Sequence, residues 1–109
     1  MEDVFTINSK LLQKPIIIFG TGNNAKRAYY TFLNHGICIK CFADRQNEFI
    51  GMTMLGKKVI EEHSLLKEDC NVVIASVYSA EIVKRLSEEG INNLFVMNFY
   101  DSQSDGIYI

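Results

Sequence analysis

The sequence has no apolar run long enough to cross a lipid bilayer. Its longest continuous run lies at residues 15–19, whereas a membrane-spanning helix needs roughly 20 apolar residues. No basic leader precedes an apolar segment near its start, so we expect no secretory signal and a cytoplasmic location. Hydrophobic residues make up 48% and charged residues 22% of the 109 residues, a balance that excludes an intrinsically disordered chain.

The sequence also lacks an excess of charge of one sign. Its 11 basic and 13 acidic residues give a net charge of −2, which is not the basic character of a protein that holds nucleic acid. A length of 109 residues allows one domain, but not a cofactor domain plus a separate substrate domain. The composition therefore favours a small globular module that binds neither nucleic acid nor a membrane.

Cysteines and histidines are few and poorly placed for chemistry. Three cysteines, an odd number, do not indicate a disulfide framework. Cys38 and Cys41 have the C-x-x-C spacing, but they fall in a predicted strand, where residues three apart point to opposite faces. We therefore expect these two thiols and that of Cys70 to be plain buried or half-buried groups. Neither His35 nor His63 has an acidic partner at metal-ligand or catalytic spacing, so we predict no metal site and no catalytic residue.

Two stretches of the chain share the pattern strand, polar turn, helix, glycine, strand. In the first, residues 15–19 are typical of a strand buried on both faces of a parallel sheet. A helix follows, with Asn23 or Asn24 as its predicted N-cap and Gly36 after its end. Its predicted buried stripe comprises Ala25, Ala28, Tyr29, Phe32 and Leu33.

The second stretch begins with an apolar strand at residues 71–75. Ser79 is the predicted N-cap of the helix that follows, and Gly90 ends that helix. Further strands are predicted at residues 37–43, 54–60 and 94–97, the middle one weak and broken by Gly56. No Asn-Gly or Asp-Gly turn joins two alternating runs, so we expect no antiparallel pairing.

The repeated βαβ unit predicts a single α/β domain of the Rossmann-like, three-layer kind. Right-handed crossovers place the helices on both faces of a five-stranded parallel sheet in the order 3-2-1-4-5. We expect an N-terminal arm or helix at residues 1–14, the Rossmann-like domain at residues 15–97 and a polar C-terminal tail at residues 98–109.

A glycine-rich turn joins the first predicted strand to the first helix. Residues 20–25, Gly-Thr-Gly-Asn-Asn-Ala, match G-x-G-x-x-G/A in the strand–turn–helix context that the motif requires. Gly20 permits the sharp turn, Gly22 leaves room for a phosphate to approach the backbone, and Ala25 lets the helix pack close to the sheet. The candidate phosphate-binding residues are Gly20, Thr21, Gly22, Asn23 and Asn24.

Asp44 follows the second predicted strand, 19 residues after Ala25. An acidic residue near this spacing can accept hydrogen bonds from the hydroxyls of a ribose diol. Its charge would repel a 2′-phosphate, which favours NAD-like, uridine or adenosine nucleotides over NADP. Arg45 complicates this expectation, because a guanidinium can stack on a base or bind a 2′-phosphate. The alternative for Asp44 is a solvated acid in a turn.

The predicted strand order also opens a crevice between the first and fourth strands. Ser76, Val77 and Tyr78 follow the fourth strand, opposite Gly22 and Asn23. The Ser76 hydroxyl could bind a phosphate or a carbonyl, and the Tyr78 ring could stack on a base or sugar. Equally, Tyr78 could simply cover the end of the sheet.

Several segments together resemble a bacterial Rossmann-like module. They are residues 15–26, 34–36, 41–44, 54–56, 59–60 and 72–76. Such modules stand at the front of PglD-type sugar O-acyltransferases and in the sugar-nucleotide dehydratases and epimerases of polysaccharide biosynthesis. The resemblance implies that Asp44 and the glycine-rich turn bind NAD, a nucleotide or a sugar nucleotide, while another domain performs the chemistry. Residues 43–45 are less acidic than the equivalent run in these modules.

The sequence therefore predicts a nucleotide-binding module of surface-polysaccharide or sugar-nucleotide metabolism without catalytic residues of its own. Its partners would be a small nucleotide ligand, a separate catalytic domain and, in a homo-oligomer, further copies of the chain. One alternative is a small NAD-dependent oxidoreductase or epimerase-type fragment, for which Tyr78 is the candidate acid or base. Another is an interaction or regulatory domain that has kept the fold and lost the ligand.

Overall fold

A single sheet contains all eight strands of the described residues. The computed structural model describes residues 4–6, 9–45, 48–99 and 104–108. The strands are β1 (Val4–Thr6), β2 (Ile16–Phe19), β3 (Cys41–Asp44), β4 (Thr53–Met54), β5 (Lys57–Glu61), β6 (Asn71–Ile74), β7 (Leu94–Phe99) and β8 (Ser104–Tyr108). The helices are α1 (Asn23–Asn34), α2 (Ser79–Glu88) and two 3₁₀ segments, Ser9–Gln13 and Glu62–Lys67. None of the described helices is both long and apolar enough to span a membrane.

The sheet is mixed rather than wholly parallel. Within the described residues its order is β1-β8-β7-β6-β2-β3-β5-β4. The five strands predicted from the sequence lie at its centre, pair in parallel and keep the relative order 3-2-1-4-5. Strands β4 and β8 pair antiparallel with β5 and β7, and β1 pairs with β8. The prediction of five strands, all parallel, was therefore wrong in strand number and in the order of the complete sheet.

An antiparallel hairpin connects β4 to β5, although no hairpin was expected. Its two turn residues, Leu55 and Gly56, both have positive φ angles of 52° and 77°, the pattern of a type I′ turn. A leucine in this conformation costs roughly 1–2 kcal/mol. The pairing of Thr53 with Lys58 and of Met54 with Lys57 holds the turn nonetheless. The rule that required Asn-Gly or Asp-Gly missed it because leucine is rare at the first turn position.

Two hydrophobic cores cover the two faces of the sheet. Alternate residues of β2 point to opposite sides, so Ile16 and Ile18 join one core and Ile17 and Phe19 the other. The first core includes Ala25, Ala28 and Phe32 of α1, and the second includes Ile82, Val83 and Leu86 of α2. The predicted three-layer arrangement is thus present. Leu33, which was expected in the buried stripe of α1, is 48% exposed.

The helices begin without the side-chain caps predicted from the sequence. Gly22 occupies the N-cap position of α1 and Tyr78 that of α2, and neither makes a side-chain capping bond. The predictions of Asn23 or Asn24 and of Ser79 as N-caps were therefore wrong, because each helix starts one or more residues earlier than its best capping side chain. Both helices end as expected, before glycines with positive φ angles, Gly36 and Gly90.

Strand β3 is shorter than the predicted strand at residues 37–43, since it starts at Cys41. All three thiols are free: Cys41 and Cys70 are buried, but Cys38 lies before the strand and is exposed. The expectation that Cys38 is at least half-buried was wrong for this reason.

Both ends of the predicted domain carry further structure. In the predicted arm, Leu11 of the first 3₁₀ segment is fully buried. The Asn71 side chain of β6 donates to the carbonyl oxygens of Lys10 and Leu11, at 2.9 and 2.8 Å. The stretch predicted as a polar tail contains β8, which lies in the sheet between β7 and β1.

Candidate functional site

An open cleft lies at the carboxyl ends of β2, β3 and β6. Its volume is about 330 Å³. It is lined by Phe19, Gly20, Thr21, Gly22, Asn23, Asn24, Asp44, Ala75, Ser76, Val77 and Ile82. In open α/β sheets, ligands bind in crevices outside the carboxyl ends of the strands, so the cleft occupies the position that the topology predicts.

The structure brings together most of the candidate residues named from the sequence. The lining includes the whole glycine-rich turn from Gly20 to Asn24, together with Asp44 and Ser76. Arg45 and Tyr78 are not in the lining; both are exposed, and Tyr78 has 65% of its surface accessible. A role in ligand binding remains a prediction for every one of these residues.

Sequence analysis missed the apolar wall of the cleft. Phe19 is the last residue of β2, Ala75 directly follows β6, and Ile82 lies on the inward side of α2. In the sequence these residues look like core residues. The signal that could have revealed them is their position directly beside the two loops that form the crevice.

The first two glycines of the turn have different physical roles. Gly20 has a φ angle of +130°, which side-chain-bearing residues rarely adopt, and a Cβ there would lie 3.4 Å from the Cβ of Ala25. Gly22 has an ordinary extended backbone with φ −89°. A Cβ built on Gly22 meets no atom within 4 Å. Gly20 is therefore needed for the turn itself, whereas Gly22 keeps the mouth of the cleft open.

The start of α1 provides backbone donors at one side of the cleft. Gly22 has no side chain to cap the first turn, and the first helical bond runs from Lys26 N to Gly22 O at 3.2 Å. Asn23 and Asn24 belong to the cleft lining, and their amides precede that first bond. Uncapped amides at a helix start, with the positive end of the helix dipole, favour an anion.

Asp44 is held by two hydrogen bonds. The Thr21 hydroxyl donates to Oδ2 at 2.6 Å, and the backbone N–H of Arg45 donates to Oδ1 at 2.7 Å. Because Thr21 gives its proton to the carboxylate, its oxygen has only lone pairs left to offer. Thr21 and Asp44 together therefore present acceptors alone, and Asp44 is half-buried.

Ser76, in contrast to Thr21 and Asp44, can donate a hydrogen bond to a ligand. Its Oγ accepts a hydrogen bond from the backbone N–H of Tyr78 at 3.0 Å. The hydroxyl proton of Ser76 is not used in that bond and can be donated to a ligand. The cleft thus has hydrogen-bond donors at Ser76 and the α1 start, and acceptors at Thr21 and Asp44.

A group of charged side chains lies beside Phe19, a residue of the cleft lining. The guanidinium of Arg85 lies 5.9 Å from the ring centre of Phe19 and donates to Glu62 at 2.9 Å. Ligand atoms of Glu62, His63 and Glu89 approach within 4.8 Å of one another. The expectation that His63 has no acidic partner was therefore wrong, because carboxylate oxygens of Glu61 and Glu89 lie 3.3 and 3.5 Å from its ring nitrogens.

The cleft and the sheet define a class, the Rossmann-like α/β domain with a glycine-rich turn. A solved structure of the same architecture is the UDP-D-quinovosamine 4-dehydrogenase from Vibrio fischeri, with a TM-score of 0.60 and 17% sequence identity. The match covers 81% of this chain and 80% of that chain, and it shows a shared fold. No curated protein matches the sequence. Residues 12–97 match the family described as C2185-like, N-terminal, and the chain belongs to that family.

Proposed function

We propose that this domain binds a nucleotide in the cleft and serves a protein of bacterial sugar-nucleotide or surface-polysaccharide metabolism. One observation carries the proposal: the cleft is divided into a side of hydrogen-bond donors and a side of acceptors. Phosphates are acceptors and suit the amides of Asn23 and Asn24 and the hydroxyl of Ser76. Ribose hydroxyls are donors and suit Thr21 and Asp44.

The size and charge of the cleft favour a small ligand over a whole dinucleotide. A volume of about 330 Å³ lies at the low end of the roughly 300–1,000 Å³ typical of ligand sites. Among the described lining residues, Asp44 is the one with an ionised side chain, so phosphates would be held by backbone and hydroxyl dipoles alone. UDP, or one nucleotide half of NAD, fits these limits, and the sugar of a UDP-sugar would project from the open cleft.

The chemistry would reside in another domain. The family description names an N-terminal domain, and the similar solved structure is titled a UDP-sugar dehydrogenase, which together support a sugar nucleotide as the ligand. The oxidoreductase alternative needs an acid or base in the cleft, and its candidate, Tyr78, points to solvent outside the lining. A cytoplasmic location and assembly into a homo-oligomer remain parts of the proposal.

NMR titration of the ¹⁵N-labelled chain with NAD, UDP, UDP-glucose and coenzyme A tests the proposal. We expect UDP or UDP-glucose at millimolar concentration or below to shift the amide signals of residues 20–24 and of Ser76, and to leave those of the far end of the sheet, such as Asn92, unchanged. If none of the four ligands shifts the signals of residues 20–24, the proposed function is wrong.

A further inference from the structure

We propose that Glu62, His63 and Glu89 form a binding site for a divalent cation, with Zn²⁺ as the ion that fits best. Glu62 and His63 open the 3₁₀ segment that follows β5, and Glu89 directly follows α2. One ligand atom from each of the three residues lies within 4.8 Å of the other two. None of the three belongs to the cleft lining, so this inference is independent of nucleotide binding.

The ring of His63 is held between two carboxylates. Its Nδ1 lies 3.3 Å from Oε1 of Glu61, and its Nε2 lies 3.5 Å from Oε1 of Glu89. Glu61 is itself fixed, because its Oε2 accepts the backbone N–H of His63 at 3.0 Å. A neutral imidazole that gives its Nδ1 proton to a carboxylate keeps its lone pair on Nε2, which is how metal-binding histidines are oriented. Nε2 of His63 and Oε1 of Glu89 are then two acceptors that face each other, and a cation between them satisfies both.

The protein supplies only part of the positive charge that the carboxylates need. Glu62 is 5% exposed and accepts a hydrogen bond from Arg85 at 2.9 Å. Oε2 of Glu89 is shielded from solvent and has no hydrogen-bond partner among the described residues. Of the side chains in contact here, the carboxylates of Glu61, Glu62 and Glu89 face the single guanidinium of Arg85, so two negative charges remain. A divalent cation balances these charges and gives the carboxylate of Glu89 a partner.

The distances and the donor atoms favour Zn²⁺ over Mg²⁺. Two ligand atoms bound tetrahedrally at about 2.1 Å from zinc stand about 3.4 Å apart, close to the 3.5 Å between Nε2 of His63 and Oε1 of Glu89. One imidazole with carboxylates suits zinc, whereas Mg²⁺ prefers an octahedron of oxygens. The side chain of His63 is 63% exposed, so an ion can enter from solvent and a water molecule can complete its coordination.

A bound ion would join the 3₁₀ segment to the end of α2. In the metal-free chain, a proton between Glu62 and Glu89 relieves the repulsion of these two carboxylates, but it makes no link to His63. An ion that binds all three side chains ties together two segments that are distant in the sequence, and it binds only when the chain is folded. Binding should therefore stabilise the folded state.

Calorimetry and thermal unfolding of the full chain, freed of metal with a chelator and then titrated with ZnCl₂ at neutral pH, test this site. We expect one zinc ion per chain to bind with a Kd in the micromolar range or tighter and to raise the unfolding temperature. MgCl₂ at the same concentration should do neither. Glu89→Gln and His63→Asn should each weaken zinc binding at least about tenfold, since even the outer partners of metal ligands are worth about 10- to 100-fold. Unfolding curves recorded without zinc show that both variants are folded.

Glu88→Gln and His35→Asn are the matched controls, because they make the same changes at exposed positions outside the site. Cys38→Ser removes the exposed thiol, which is the competing zinc ligand. All three controls should bind zinc as the native chain does. A native chain whose unfolding and calorimetry do not respond to zinc overturns the proposal. Binding that persists unchanged in Glu89→Gln and His63→Asn, or that is lost in Cys38→Ser, overturns it as well.

Discussion

Glu62 accepts a 2.9 Å hydrogen bond from Nη2 of Arg85 while the carboxylate of Glu89 approaches it within 4.8 Å. One guanidinium thus faces two carboxylates. Oε2 of Glu89 is buried and has no hydrogen-bond partner, which is a costly state for a charged oxygen. A proton on Glu89, donated to Glu62, removes both the missing bond and the repulsion.

The ionisation of the two carboxyl groups agrees with a shared proton. The hydrogen bond to Glu62, burial and the charge of Glu62 raise the pKa of Glu89 above its usual 4.5, against smaller effects of His63 and Arg85. Burial by itself would raise the pKa of Glu62, but hydrogen bonds from Glu89 and Arg85 and the charges of Arg85 and Arg45 outweigh it and lower that pKa. When the pair holds a single proton, that proton therefore lies on Glu89.

We predict that the folded state loses stability as the pH rises above 4.5 through the raised pKa of Glu89. The stabilisation by this proton is complete below the unfolded pKa and is lost as the folded protein releases it. The contribution of Glu62 has the opposite sign, since it is present above pH 4.5 and lost as the pH falls through its lowered pKa. Glu89→Gln keeps a donor for Glu62 at every pH, so it should remove the loss above pH 4.5.

Thermal unfolding of the native chain and the variant from pH 4 to 8 tests this prediction. Glu88→Gln is the matched control, because it makes the same change at the neighbouring, exposed position of α2. The ring nitrogens of His63 lie 3.5 Å from a carboxylate oxygen of Glu89 and 3.3 Å from one of Glu61. Both pH profiles are therefore also recorded in chains that carry His63→Asn, which removes the imidazole from the comparison. Parallel profiles of the native chain and Glu89→Gln would show that the two carboxyl groups share no proton.

The three thiols should differ sharply in reactivity. Burial raises the pKa of the Cys70 thiol to about 11, and burial likewise raises the pKa of the Cys41 thiol. Because the thiolate is the reactive form, we predict that iodoacetamide at pH 8 labels one thiol per folded chain, the exposed Cys38. Mass spectrometry with peptide mapping measures the sites, and the other two thiols should react only after denaturation.

Cys38→Ser supplies the control for this experiment, since the folded variant should take up no label on the time scale of the native chain. Rapid labelling of Cys41 or Cys70 in that variant would mean that the core around β3 and β6 opens easily.

The parts of the fold that sequence analysis predicted are those dictated by local patterns. Continuous apolar runs revealed β2 and β6. The predicted order of the parallel strands also placed the carboxyl ends of β2 and β3 side by side, as they are in the structure. This adjacency brings Asp44 to the glycine-rich turn, although the hydrogen bond to Thr21 could not be read from the spacing of the two residues.

The parts that sequence analysis missed depend on contacts distant in the chain. The turn at Leu55–Gly56 is held by strand pairing that overrides the poor conformational preference of leucine. The charged group around Arg85 joins the second 3₁₀ segment to α2 through side chains more than 20 residues apart, as for Glu62 and Arg85. Neither arrangement has a local signature.

Alanine substitutions at Gly20 and Gly22 should have unequal consequences for stability. We predict that Gly20→Ala destabilises the fold by about 1–3 kcal/mol, because alanine is strained at a φ angle of +130°. Gly22→Ala should cost less, at most about 1 kcal/mol from the poorer N-cap, since the backbone is extended and the Cβ meets no atom. Urea unfolding measures both, and equal destabilisation by the two variants would contradict the separate roles of these glycines.

Aspartate at Gly22 should abolish nucleotide binding without weakening the fold. Gly22 is the N-cap of α1 and has the extended backbone of a capping residue, so the new carboxylate can accept the amide bonds of the first turn and stabilise the chain by a few tenths of a kcal/mol. It then occupies the donors proposed for a phosphate and adds a repelling charge. Gln13→Glu makes the same change in net charge at an exposed site before β2, at the other end of the sheet, and should bind UDP normally. A Gly22→Asp chain that still binds UDP with native affinity would place the phosphate away from the α1 start.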